Sequence, residues 1–183
     1  MKAKKVYEMI DPYASEETDA MDLDISYKKK LIEDWFAKWA PDADYEIDDD
    51  LNINIDTFLD LENSDVTHLP DNLIINERLD LKRSNIIKLP RNLTVFHWID
   101  LTYTSIKEIP NDLKAHSTLD LSYSEISSLP DNLTIGENLI LKDCKDLTQL
   151  PENLTVNGWL NIKGTKITDI PDSLYVYLEQ YDY

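Results

Sequence analysis

The sequence predicts a mostly β solenoid, and three observations carry that prediction. Leu-Pro or Ile-Pro recurs at Leu69-Pro70, Leu89-Pro90, Ile109-Pro110, Leu129-Pro130, Leu150-Pro151 and Ile170-Pro171, in steps of 20, 20, 20, 21 and 20 residues. Six of the eight prolines fall on this grid. Each interval also holds an apolar-x-apolar alternation, as in Leu79-Asp80-Leu81 and Leu119-Asp120-Leu121. Period two marks a half-buried strand, and a fixed long period marks units that stack only on their neighbours.

Each repeat is expected to contribute one parallel strand, at its L-x-L segment. Proline cannot donate to a strand ladder, so Leu-Pro belongs to the return segment. A second apolar pair, such as Leu93 and Val95, should line the same core from the opposite wall.

Three segments are expected along the chain. Residues 1–25 read as an acidic arm, with Glu8, Asp11, Glu16, Glu17, Asp19, Asp22 and Asp24 behind three early lysines. Residues 26–48 hold a capping helix and an edge strand. Ser26 is the expected N-cap and Pro41 the stop. Tyr27, Leu31, Ile32, Trp35, Phe36 and Trp39 share one broad face of that helix. A solenoid needs such a lid, because its end repeat otherwise exposes core. Tyr45-Glu46-Ile47 is the expected edge strand, and Asp48, Asp49 and Asp50 discourage further pairing. Residues 49–183 form the solenoid. Its first unit is partial, with Asp49-Asp50 in place of Leu-Pro. From Ile170 a last unit begins and passes into LYVYLEQYDY, read as a C-terminal cap or edge strand.

The shared frame resembles a known family. LDLKRSNI, IDLTYTSI, LDLSYSEI and LNIKGTKI look like the leucine-rich-repeat signature L-x-L-x-x-N-x-L. The short L-P unit is similar to the repeats of bacterial effectors and of bacterial and phage leucine-rich-repeat proteins. The resemblance covers roughly residues 51–176 and implies a leucine-rich-repeat stack with a helical cap; a parallel β-helix is the alternative. Two departures stand out. The family's Asn is replaced by Ser64, Ser84, Thr104, Ser124, Cys144 and Thr165. Its first Leu is replaced by Asn76, Phe96, His116 and Gly136.

The formal charge is −18, which disfavours nucleic acid and anionic membranes and favours basic partners. One cysteine excludes an internal disulfide. Cys144 is read as structural. The start, MKAKKVYEMIDPY, lacks the apolar core of a signal peptide, so a cytoplasmic or virion setting is expected. No phosphate-binding or nucleophile motif is present. His68, His97 and His116 lack metal-ligand spacing. The expectation is a protein with no catalytic activity, no cofactor and no metal.

Residues flanking the buried L-x-L pair point away from the core. Phe58, Arg78, Trp98 and Trp159 stand in one column, and Asp60, Asp80, Asp100 and Asp120 in the next. The expected site is this exposed, concave sheet face. Trp98 and Trp159 would anchor a protein partner, with Phe58 the third large exposed aromatic of this face, and the aspartates would act as an exposed charge filter. Tyr103 and Tyr123 follow just past the strand and widen the patch. Two other roles fit the sequence. One is a structural virion or scaffold component. The other is an acidic nucleic-acid mimic acting against a defence protein.

Overall fold

The apolar pairs of each repeat fold into two facing walls of one solenoid. The computed structural model describes residues 24–171, Leu174 and the backbone of 177–178. The acidic arm expected over residues 1–25 lies almost wholly outside the described residues, as does most of the tyrosine-rich tail.

The first wall contains β1 (Tyr45–Ile47), β2 (Ile53–Ile55), β4 (Leu73–Ile75), β6 (Thr94–Val95), β8 (Lys114–Ala115), β10 (Thr134–Ile135) and β12 (Thr155–Val156). The second contains β3 (Leu59–Asp60), β5 (Leu79–Asp80), β7 (Ile99–Asp100), β9 (Leu119–Asp120), β11 (Leu139–Ile140), β13 (Trp159–Asn161) and β14 (Tyr177–Leu178). Apart from β1, neighbouring strands are parallel and in register, so Leu79 lies beside Leu59 and Ile99, and Asp80 beside Asp60 and Asp100.

A solenoid with a helical cap is what the sequence predicts. The turn differs in one respect: it carries two strands, not one. The second apolar pair supplies the extra strand. Its backbone borders the core, where unpaired N–H and C=O groups are costly. The same segment of the next repeat offers matching partners, as in Ile74 beside Thr94 beside Lys114.

Between the walls the apolar columns are sealed. Leu59, Leu61, Leu79, Leu81, Ile99, Leu101, Leu119 and Leu121 are buried from one side, and Ile53, Ile55, Leu73, Ile75, Leu93 and Val95 from the other. Each such side chain contributes about 1.5–3 kcal/mol relative to exposure. The leucines of Leu-Pro are buried too. The carbonyls of Pro110, Pro130 and Pro151 each accept the N–H three residues on, at 3.2 Å. That bond turns the chain back into the first wall.

The hydroxyl column makes short local bonds. Ser64, Ser84 and Thr104 donate at 2.7 Å to the carbonyl three residues earlier, and Thr165 does so at 2.8 Å. At Cys144 the thiol instead reaches back one repeat, to the Leu121 carbonyl at 3.0 Å. One extra residue enters just after it. The step from Cys144 to Leu147 spans a local turn, and Leu147 is fully buried where Ile126 sits one repeat before.

The lid is helix α1 (Ile25–Trp39). Ile32, Trp35 and Phe36 are buried against the first turn, and Leu31 and Trp39 are half-buried. Tyr27 is exposed, so the apolar face is narrower than the sequence suggested. The N-cap is Asp24 rather than Ser26. The Ser26 hydroxyl turns back to the Asp24 carboxylate instead of capping the helix. Trp35 Nε1 donates to the His68 carbonyl at 3.1 Å, and Phe36 stacks on Tyr45 with ring centroids 4.0 Å apart. Strand β1 pairs antiparallel with β2, as an edge strand should. The intervening hairpin is closed by Asp48, whose carboxylate accepts the N–H groups of Asp50 and Asn52. These bonds, the Asn52 side chain first, hold the Asp48 carboxyl below its ordinary pKa.

Candidate binding face

The aspartate column belongs to the turns. The first four strands of the second wall, β3, β5, β7 and β9, each end in a tight corner that begins at an aspartate. Asp60 Oδ1 accepts the N–H of Glu62 at 3.0 Å, Asp80 that of Lys82 at 3.1 Å, Asp100 that of Thr102 at 2.9 Å and Asp120 that of Ser122 at 2.9 Å. This is the local side-chain mimic of a backbone turn that aspartate and asparagine form readily. Asn161 repeats it with Lys163, at 3.0 Å.

The same corner demands a left-handed residue. Asn63, Arg83, Tyr103, Tyr123, Asp143 and Gly164 all have positive φ, three positions after the column residue. Asn, Asp and Gly tolerate that region, whereas bulky side chains in it cost about 1–2 kcal/mol each. Three consecutive repeats nevertheless place Arg83, Tyr103 and Tyr123 there.

Those three side chains form a ladder. The Tyr103 and Tyr123 rings stack with centroids 4.6 Å apart and 1° between planes. The Arg83 guanidinium lies 5.0 Å from the Tyr103 centroid, and Lys142 Nζ lies 5.5 Å from that of Tyr123. A cation therefore closes each end of an aromatic pair, an arrangement that ring quadrupoles favour. Both tyrosines are open to solvent, with Tyr103 48% and Tyr123 39% exposed.

The charge filter expected at Asp80 and Asp100 is corrected. They are only 8% and 9% exposed, and Asp120 is half-buried. Asp60, at the end of the column, alone among the four is exposed. The reason is geometric: a carboxylate that reaches its own turn N–H lies along the sheet. The larger side chains on either side, Trp98 before the column and Tyr103 and Tyr123 after it, stay exposed. Burial pushes the Asp80 and Asp120 carboxyls above their ordinary values, and the Asp100 charge adds to both shifts. The turn N–H groups oppose the rise, as does the Ser122 hydroxyl bonded to Asp120 at 2.6 Å. Beyond them, Thr102 and Ser122 are also buried.

The other predicted residues are placed as follows. Phe58 is 50% and Trp98 41% exposed on the second wall. Arg78 is half-buried, 3.7 Å from Asp80 and 6.0 Å from the Phe58 ring centroid. Trp159 is half-buried, and its backbone N–H donates to Asn138 Oδ1 at 3.0 Å. Asn138 in turn donates to Thr118 at 3.1 Å, so three repeats share one polar chain. Trp98 and the tyrosine ladder thus flank the buried aspartates on adjacent repeats. Trp159 stands apart from them, three repeats beyond Trp98.

Among the described residues no group of three or more His, Cys, Asp or Glu side chains is arranged to hold a metal ion. No helix among them is long and apolar enough to cross a membrane. Cys144 is fully buried, and burial raises its thiol pKa. The positive-φ column is the feature that the sequence reading missed. Its signal was present: Asn63, Asp143 and Gly164 at one repeat position are residue types that a left-handed corner selects. No family model matches the chain, and no curated protein or solved structure matches it.

Proposed function

We propose that this protein is a non-catalytic binding module that recognises another protein on the outer face of its second wall. Trp98 and the Tyr103–Tyr123 ladder form the centre of that face, with Phe58 at one end. One observation carries the reading. Bulky residues occupy left-handed positions in three consecutive repeats, although asparagine serves the same corner at residue 63. Strain of this kind is retained where the side chain itself is needed. Tyrosine and tryptophan supply large, stiff contact area and are enriched at binding hot spots.

The aspartates enter this reading as the scaffold of the corners. The charge near the ladder is partly basic, from exposed Arg83 and half-buried Lys82 and Lys142, with Glu62 paired to the first two, so a partner contacting the ladder would meet both signs. The Leu-x-Leu frame supports placing the chain near the short leucine-rich repeats of bacteria and phages, in a host-interaction setting inside the cell. Nucleic-acid mimicry is less favoured, because Asp80 and Asp100 are buried and do not present a phosphate-like row.

The test is comparative affinity purification from native lysate. Wild type should retain a protein that Trp98→Ala and the Tyr103→Asn, Tyr123→Asn double variant lose. Identical recovery by all three folded proteins would sink the proposal.

A further inference from the structure

The corner between the first and second walls carries another column: Asn76, Phe96, His116, Gly136 and Asn157. The backbone keeps step along it. The N–H groups of Phe96, His116, Gly136 and Asn157 donate to Ile75, Val95, Ala115 and Ile135 at 3.0, 3.0, 3.0 and 3.1 Å. Phe96 and His116 stack with centroids 4.7 Å apart and 6° between planes. Both are exposed. The next rung has no side chain. A Cβ on Gly136 would lie 1.9 Å from the His116 carbonyl oxygen, so the backbone reserves this position for glycine.

The stack is therefore interrupted after two rings. One face of His116 is covered by Phe96, and the other lies toward the rung at Gly136 that carries no side chain. Repeats advance by about 4.8 Å, so a side chain absent from one rung leaves room for one planar group before Asn157. Within the described residues the ring nitrogens of His116 make no hydrogen bond. Next to the gap, Glu137 is exposed, and its carboxylate accepts the Ser117 hydroxyl at 2.6 Å.

We propose that this gap takes the guanidinium of an arginine from a basic protein partner, stacked on His116 as a third rung and paired with Glu137. The inference rests on the binding-module reading and adds a partner chemistry at a second place. Guanidinium is planar, stacks on aromatic faces and matches a carboxylate, whereas a lysine ammonium is a compact point charge with no face to stack. The net charge of −18 favours a cation over a neutral ring.

The test is a titration of the full chain with acetyl-Gly-Arg-Gly-amide and its Lys and Phe counterparts, followed by NMR of the Phe96 and His116 ring signals. The arginine peptide should shift both saturably and bind about threefold or more tighter than the lysine peptide. Glu137→Gln should weaken the arginine response, and His116→Ala should abolish the Phe96 shift while the thermal midpoint stays near wild type. Equal response to lysine, stronger response to phenylalanine, or no ring shift overturns the proposal. The Tyr103→Asn, Tyr123→Asn variant should keep the arginine response, which separates failure here from failure of the ladder as an anchor.

Discussion

Tyr103 and Tyr123 stack at 4.6 Å on backbones that both have positive φ. The stack and the strain act in opposite directions. Two bulky left-handed residues cost about 1–2 kcal/mol each, and an aromatic pair returns about 0.5–1.5 kcal/mol beyond its burial. Replacing both by asparagine, the residue found at position 63, relieves the first effect and forfeits the second. The double variant should unfold within about 2 kcal/mol of wild type in urea, with the sign favouring asparagine. A loss of several kcal/mol would show that the ladder holds the solenoid together and would remove the argument for a binding role.

Asp80 and Asp120 provide a pH test. Burial raises both carboxyl pKa values in the folded state. The folded protein then binds protons more readily than the unfolded chain. The stability contribution of these groups is fully present below the ordinary carboxyl range and is lost as pH rises through the raised values. Asn keeps the oxygen that accepts the turn N–H, as Asn161 does, but carries no charge. The Asp80→Asn, Asp120→Asn variant should therefore be more stable than wild type near neutral pH. The difference should vanish at about pH 3, below the ordinary carboxyl range. Thermal melts across pH would check this, and a variant less stable at neutral pH would contradict it.

The same column predicts a contrast between isosteric and truncating changes. Asp100→Ala leaves the Thr102 N–H without its 2.9 Å acceptor in a buried corner. An unsatisfied buried donor costs about 1–3 kcal/mol. Asp100→Asn should cost less than half as much in the same urea titration.

Gly136 and Gly164 should respond to alanine for different reasons. At Gly136 the added Cβ meets backbone at 1.9 Å, so the ladder between Ala115 and Gly136 must move. At Gly164 the backbone has φ of 78°, which alanine adopts at a cost of about 1–2 kcal/mol. Gly136→Ala is expected to lower the thermal midpoint more than Gly164→Ala, and the reverse order would refute the close-approach argument.

Cys144 should be silent to thiol reagents in the folded protein. Its thiol is buried, its pKa is raised by that burial, and it donates to the Leu121 carbonyl. Labelling should appear only at denaturant concentrations that unfold the chain. Cys144→Ser should be tolerated, because Ser64 and Ser84 already hold that repeat position.

The apolar spacing made the solenoid legible because burial of Leu79, Leu81 and their counterparts depends only on side-chain period. The second strand in each turn was half legible. Leu93 and Val95 were assigned to the opposite wall, but pairing between repeats is a backbone property with no residue signature of its own. The aspartates depart from the exposed face that period two predicts for a related reason. Period two places Asp80 and Asp100 on the outer face, and they do leave the sheet on that side. Whether such a side chain reaches solvent or bends to its own turn is decided two residues later, by the corner. Trp98 and Phe58 are exposed as their period predicts, because nothing local competes for them. Trp159 is more enclosed, and its place at the far end of the described solenoid was not a matter of its own sequence.

The extra residue after Cys144 leaves both walls undisturbed. Thr134 still pairs with Thr155, and Leu139 with Leu160, across the longer repeat. The third side of the coil thus absorbs a change of length that either strand wall would convert into a register slip. Growth by insertion has a permitted direction in this molecule: outward, from the segment between the left-handed corner and Leu-Pro. A peptide tag or a recognition loop grafted there would alter the outline of one repeat and leave the stacking of all the others as it was.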